Sequence, residues 1–188
     1  GGGWAGDWLE HYNRARFLLN ELPWDYAFLN YYSFTARPPL ANAVHAFFMG
    51  LGSSDFIHFQ VVNVLGNSFV FFPVILIGRS LIQKDSQSGY VWPILLLLMV
   101  NPMFMQNMIY PWTRMICTFY VLMSVYFFLR SQEVPDDSRY PLLGFLGLAA
   151  GFVAHYSVGP YIVGFVVLYF VARRTKLQTT LFWKQTLI

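Results

Sequence analysis

The chain has 188 residues, of which 11% are charged and 20% aromatic, and its formal net charge is +3. Soluble domains carry about 25% charged residues, so a disordered segment, a disulfide scaffold and an ordinary cytosolic enzyme are excluded. The composition is that of a membrane protein, and its charge is too small and too scattered for a nucleic-acid partner.

The chain opens on Gly1-Gly2-Gly3-Trp4, with no initiator methionine or cleavable leader, and stops soon after a basic cluster. The expectation is a piece of a longer polytopic protein. One cysteine, Cys117, allows no internal disulfide.

Residues 1–55 are the least hydrophobic part. Asp7, Glu10, His11 and Arg14 fall at i, i+3, i+4 and i+7, one face of a helix, while Trp8, Tyr12, Ala15 and Leu19 share another. The spacing predicts an amphipathic helix lying on a membrane, aromatic side down and ionisable side exposed, ended by Pro23. After a loop through Trp24 and Tyr32, Ala36-Arg37-Pro38-Pro39-Leu40 opens a second apolar helix, from Pro39 to Gly50 or Gly52. The four ionisable residues either solvate a surface face or set a carboxylate where headgroups and an acceptor meet. Arg37 is either an interfacial anchor or a phosphate clamp, since its planar fork matches phosphate oxygens. A metal site from Asp7, Glu10 and His11 lacks the second histidine or cysteine that ligand spacing requires, although a divalent cation is compatible with the carboxylates.

Charge-free runs locate the spans, each needing roughly 20 apolar residues. They predict spans near 56–78, 90–106 and 112–130, the last two joined by a turn at 106–110 with interfacial aromatics. The run over 141–172 is too long for one span. Its centre, His155-Tyr156-Ser157-Val158-Gly159-Pro160, predicts a broken helical hairpin, with arms near 141–155 and 158–172. Lys and Arg in the 79–90 and 130–140 connections and in the 173–184 tail put those segments in the cytoplasm. Residues 1–55 and 106–113 then face outward. The predicted class is an all-α polytopic membrane protein.

Within the first span, Gln60, Asn63 and Asn67 form a polar stripe that either bonds neighbouring helices or lines a groove. His155, at the predicted break, either binds substrate or caps freed backbone groups. His45 reads as structural and His58 as interfacial. Trp4, Trp24, Trp92 and Trp112 read as membrane-belt residues.

Three segments carry a family resemblance. Gly6-Asp7-Trp8-Leu9-Glu10-His11-Tyr12 with Ala36-Arg37-Pro38-Pro39-Leu40 resembles the first outward loop of GT-C glycosyltransferases. Asn101-Pro102-Met103-Phe104 through Tyr110-Pro111-Trp112-Thr113-Arg114 resembles the turn between the third and fourth spans of that superfamily. Gly147-Leu148-Ala149-Ala150-Gly151 through Ser157 resembles the glycine-rich helix after it. The nearest group is glycosyltransferase family 39, which includes protein O-mannosyltransferases and the lipid A aminoarabinose transferase. Close relatives carry an Asp-Glu pair where this chain has Asp7-Trp8 and a displaced Glu10.

The resemblance implies an enzyme of the plasma (inner) membrane with an outward active site. It would use a polyprenyl-phosphate sugar donor and a lipid, glycan or protein acceptor, in a single inverting displacement. The implied catalytic residues are Asp7 as base, with Glu10 and His11 beside it. Arg37, Arg114 and His155 would bind substrate. No cofactor is certain. The competing expectation is a transporter or flippase of lipid-linked sugars, which calls for ionisable residues near the bilayer midplane.

Overall fold

The computed structural model describes residues 5–23, 25–26, 33–81 and 91–171, with the side chains of residues 5–8 and 91 outside that description. Asp7 is therefore placed by its backbone alone, and the basic tail from Arg173 onward, Trp4, Trp24 and most of the 79–90 connection lie outside the described residues. All regular structure among the described residues is helical.

Helix α1 covers Ala5–Leu19. It stops before Pro23, because Glu21 takes a left-handed φ of 51° and the Leu22 amide donates back to the Phe17 carbonyl at 3.2 Å. That is a Schellman-type stop, with the proline just beyond it. Leu22 packs on the Phe17–Phe34 cluster, which supplies the apolar contact such a stop uses. The expectation of an exposed ionisable face is corrected: Glu10 and Arg14 are 2% and 0% exposed, and His11 is buried. The opposite face is covered too, with Tyr12 edge-on to Phe56 and Phe59 and Ala15 packed into a core with Met49 and Phe59. Its exposed stripe is instead Leu9, Arg16 and Asn20.

A 3-10 turn over Phe34–Ala36 leads to α2, Leu40–Leu51, which begins after Pro39 and ends at Gly52 as the sequence predicts. Asp55 then caps α3, Phe56–Ser68, by accepting from the His58 amide at 2.7 Å. His58 itself turns back, its Nε2 lying 3.2 Å from the Phe48 carbonyl at the end of α2. α3 is followed almost at once by α4, Phe71–Leu81. The irregularity at Phe69–Val70 sits one turn before Pro73, whose ring cannot tolerate a helical carbonyl four residues back.

The predicted straight span over 90–106 is corrected. α5, Val91–Val100, and α6, Pro102–Ile109, meet at a bend of 76°. Asn101-Pro102 is the cause. Pro102 has no amide to continue α5 and suits the first position of a new helix, while Asn101 Oδ1 caps α6 by accepting from the Phe104 amide at 3.0 Å. The turn accordingly falls at Tyr110–Thr113 rather than 106–110, with Tyr110, Pro111 and Thr113 buried.

Helix α7, Arg114–Glu133, pairs antiparallel with α8, Arg139–Ala154. Gly144 approaches Phe128, and a Cβ on Gly147 would collide with Ser124 Oγ, so the backbones lie close. At His155 the chain turns through a 3-10 step, Tyr156–Val158, into α9, Tyr156–Val171. α9 runs back along α8, with Phe145 and Tyr169 ring centroids 5.5 Å apart and Phe165 stacked on Phe128 at 5.0 Å. The two arms meet at His155, the first residue of the break expected over 155–160. Gly159-Pro160 opens the second arm, where a proline is tolerated.

Two helical stretches, Phe56–Leu81 and Arg114–Glu133, are long and apolar enough to cross a membrane; the bent pair Trp92–Val100 and Pro102–Ile109 makes a third if taken as one. The α7–α8–α9 arrangement puts Arg114 and His155 at one end of these helices and Arg130 and Arg139 at the other, about 30 Å away for a 20-residue helix.

Candidate functional site

The site is built at the end where α1, the Phe34–Ala36 turn, the start of α2 and the break at His155 meet. Its foundation is Arg14. The Arg14 Nε donates to Glu10 Oε1 at 3.0 Å, Nη1 to the Phe34 carbonyl at 2.6 Å and Nη2 to the Ser33 carbonyl at 3.1 Å, and Nη2 lies 2.9 Å from Glu10 Oε1. A guanidinium at full burial is tolerable only when its charge and its donors are matched in this way.

Arg37 shares the same carboxylate. Its Nε lies 3.5 Å from Glu10 Oε1, longer than Arg14's contact, and its side chain is 30% exposed. Its Nη1 donates to the Tyr156 hydroxyl at 3.3 Å. One carboxylate charge is thus divided between two guanidiniums, and the outer one faces the open side of the site.

His11 is tied to α2, with Nδ1 3.0 Å from Asn42 Oδ1. An amide oxygen only accepts, so Nδ1 carries the proton and Nε2 presents a lone pair. Burial holds the His11 pKa below the ordinary imidazole value; the Asn42 bond and Glu10's charge oppose this, while Arg37 and Arg14 reinforce it. His155 has the other tautomer: its Nδ1 accepts from the Ser157 amide at 3.1 Å and lies 2.8 Å from Ser157 Oγ. Nε2–H is then the free donor. Burial holds the His155 pKa below the ordinary imidazole value, with Arg114, Arg37 and His11 adding to the effect, and its ring is stacked on Tyr156 at 4.5 Å. Arg114, at the N-terminus of α7, is exposed, with its guanidinium carbon 4.3 Å from the Trp112 ring centroid.

Of the residues singled out in the sequence, Glu10 and Arg37 are in contact, and His11, Arg114 and His155 stand within electrostatic reach of the same place. Asp7 lies one turn before Glu10 and His11 on α1. Asn63 and Asn67 do not line the site. Asn63 Nδ2 donates to the Tyr110 carbonyl at 3.3 Å and Asn67 Nδ2 to the Met108 carbonyl at 2.9 Å, satisfying carbonyls that the end of α6 leaves open. His45 is structural, with Nδ1 2.6 Å from the Ala41 carbonyl. Sequence reasoning missed Tyr156 and Asn42 altogether and gave Arg14 only a surface role. The i, i+4 spacing of Glu10 and Arg14 was the available signal for a pair. No local pattern pointed to Tyr156, 119 positions from Arg37.

Among the described residues, no group of three or more His, Cys, Asp or Glu is arranged to hold a metal ion. No protein-family model matches the chain, and neither a curated protein nor a solved structure is significantly similar to it.

Proposed function

We propose that this protein is a multi-pass membrane glycosyltransferase of the GT-C type. It transfers a sugar from a polyprenyl-phosphate donor to an acceptor hydroxyl at the outward membrane face. The observation that carries the proposal is that Arg37, which shares the Glu10 carboxylate with Arg14, reaches Tyr156 beside the His155 ring, with Arg114 at the same end of the helices. Cationic and neutral donors gathered at the end of apolar helices suit the phosphate of a lipid whose chain lies in the bilayer.

In this reaction the acceptor oxygen attacks the anomeric carbon from the face opposite the phosphate. The new glycosidic C–O bond forms as the bond to the phosphate oxygen breaks. The acceptor's proton passes to a carboxylate, and the bonding pair leaves with polyprenyl phosphate, whose charge the arginines neutralise. Asp7 is the proposed base, one turn from the site on α1. Glu10 is the poorer base, since protonating it would strip two arginines of their partner. His11 presents its Nε2 lone pair nearby and orients the acceptor.

The transporter alternative asks for an ionisable relay inside the spans. Within Phe56–Leu81 the ionisable residues, His58 and Arg79, stand near the two ends, which favours chemistry at the interface.

The test is to supply membranes containing the protein with a radiolabelled polyprenyl-phosphate sugar and to follow release of polyprenyl phosphate together with labelled acceptor. Both products should appear together and depend on Arg37. Movement of intact donor between leaflets with no cleavage would favour the transporter.

A further inference from the structure

Arg37 is delivered to the site by a segment with little structure of its own: a three-residue turn, Phe34–Ala36, followed by Arg37 in extended conformation before two prolines. Its Ser33 N-cap makes no side-chain capping bond. Phe34 anchors the segment by stacking on Phe17 at 4.8 Å, and Arg14 holds its course towards Arg37 through two separate routes. The first is backbone: Arg14 takes the carbonyls of Ser33 and Phe34, four and three residues before Arg37. The second is electrostatic: Arg14 orients the Glu10 carboxylate, which in turn holds Arg37 Nε.

We infer that Arg14 is a positioning residue that aims Arg37 at the phosphate of the lipid donor, with Glu10 as the link between the two guanidiniums. This rests on Arg37 contacting that phosphate. A fully buried guanidinium spanning a carboxylate and two carbonyls couples the turn to the ion pair; a lysine keeps the charge but has no planar fork to reach all three. Such a coupling predicts that the two arginines act as a unit in anion binding. Changing Arg14 when Arg37 is already gone should then cost nothing further.

The experiment is a double-mutant cycle on the full chain in detergent, with farnesyl phosphate as the probe and farnesol as the phosphate-free control. Arg37→Ala should weaken farnesyl phosphate binding about tenfold, the equivalent of one lost charge-assisted hydrogen bond. Arg14→Lys should weaken it to a similar extent, and the double variant should be no weaker than Arg37→Ala alone, the signature of residues that act through one another. Glu10→Asp, which keeps every charge but withdraws the carboxylate by one methylene, is the second variant should Arg14→Lys not fold, and it should behave in the same way. As a separate readout, the Arg37 Nε–H resonance in arginine-labelled protein should move towards the free-arginine position in both variants. Wild-type affinity in a folded Arg14→Lys or Glu10→Asp protein, with Arg37→Ala still weak, would overturn the positioning role alone. Losses that multiply in the double variant would do the same. Equal binding of farnesyl phosphate and farnesol by the wild type would instead remove the phosphate contact of Arg37, and the inference with it.

Discussion

The Arg37 guanidinium donates to the Tyr156 hydroxyl at 3.3 Å, joining two positions separated by 119 residues. The contact ties the N-terminal segment to the break between α8 and α9. It therefore puts Ser33 at the same end of the helices as Arg114, while Ser138 sits between α7 and α8 at the end marked by Arg130 and Arg139. Single cysteines at Ser33 and Ser138, in a Cys117→Ser background, should differ in labelling by a membrane-impermeant thiol reagent. Ser33 should label from outside the cell and Ser138 only after the membrane is opened. Equal labelling of both from outside would contradict the proposed orientation.

Burial of Glu10 and Arg14 makes each dependent on the other. Removing one member of a buried pair leaves an uncompensated charge and costs about 3–5 kcal/mol, so Arg14→Ala and Glu10→Ala should each lower the unfolding midpoint of the detergent-solubilised protein substantially. Loss of the exposed Arg130–Glu133 pair should change it by no more than about 1 kcal/mol. Similar small effects at both places would mean that the α1 pair is not buried in the membrane-bound protein.

Acid should loosen the same region. Burial pushes His45 down to about 4 from an ordinary 6.5, with the Ala41 carbonyl hydrogen bond opposing the effect and His11 adding to it. A lowered histidine pKa means that the unfolded chain binds the extra proton. Stability is thus complete above pH 6.5 and declines as pH falls towards 4. A shift of that size corresponds to at most about 3.5 kcal/mol. The unfolding midpoint, measured between pH 7 and 4, should fall with acid, and His45→Phe should flatten the decline. An unchanged slope in His45→Phe would shift the titration to His11.

Close approach of α7 and α8 has its own test. A methyl at Gly147 would strike Ser124 Oγ and lie 3.3 Å from the Tyr120 carbonyl. Overpacking of this kind costs about 1–3 kcal/mol. Gly147→Ala should be destabilising, and adding Ser124→Ala should recover part of the loss, because the Ser124 Cβ is 3.7 Å away. Thermal unfolding of the single and double variants measures the recovery, and identical values for both would mean that the helices do not meet at Ser124.

The helical class, the start and stop of α2 and the hairpin over 141–172 were legible because they rest on local signals: charge-free runs, Pro39, Gly52 and the polar break near His155. The bend at Asn101 was legible in principle, since Asn-Pro both ends one helix and caps the next, but hydropathy averaged over the run conceals it. The burial of Glu10, His11 and Arg14 was not legible. A polar helical stripe looks the same in sequence whether it faces water or a second polar surface, and the surface that covers it comes from Ser33, Phe34, Arg37 and Asn42, residues 19 to 31 positions away in their hydrogen-bonded pairs. The stripe of Asn63 and Asn67 had two readings in the sequence, and the positions of the α6 carbonyls decide between them.

The most direct test of the proposed chemistry is sugar transfer by Asp7→Asn. The substitution keeps size and hydrogen bonding but removes the site that accepts the acceptor's proton, so turnover should fall by about 10²–10⁴. It should do so with the affinity for the lipid donor unchanged, since the proposed phosphate contacts are Arg37, Arg114 and His155. The measurement is transfer of labelled sugar from a polyprenyl-phosphate donor to acceptor, in membranes holding equal amounts of wild type and variant. Wild-type turnover in Asp7→Asn would contradict the account, because no proton would then pass through the carboxylate on which the mechanism depends.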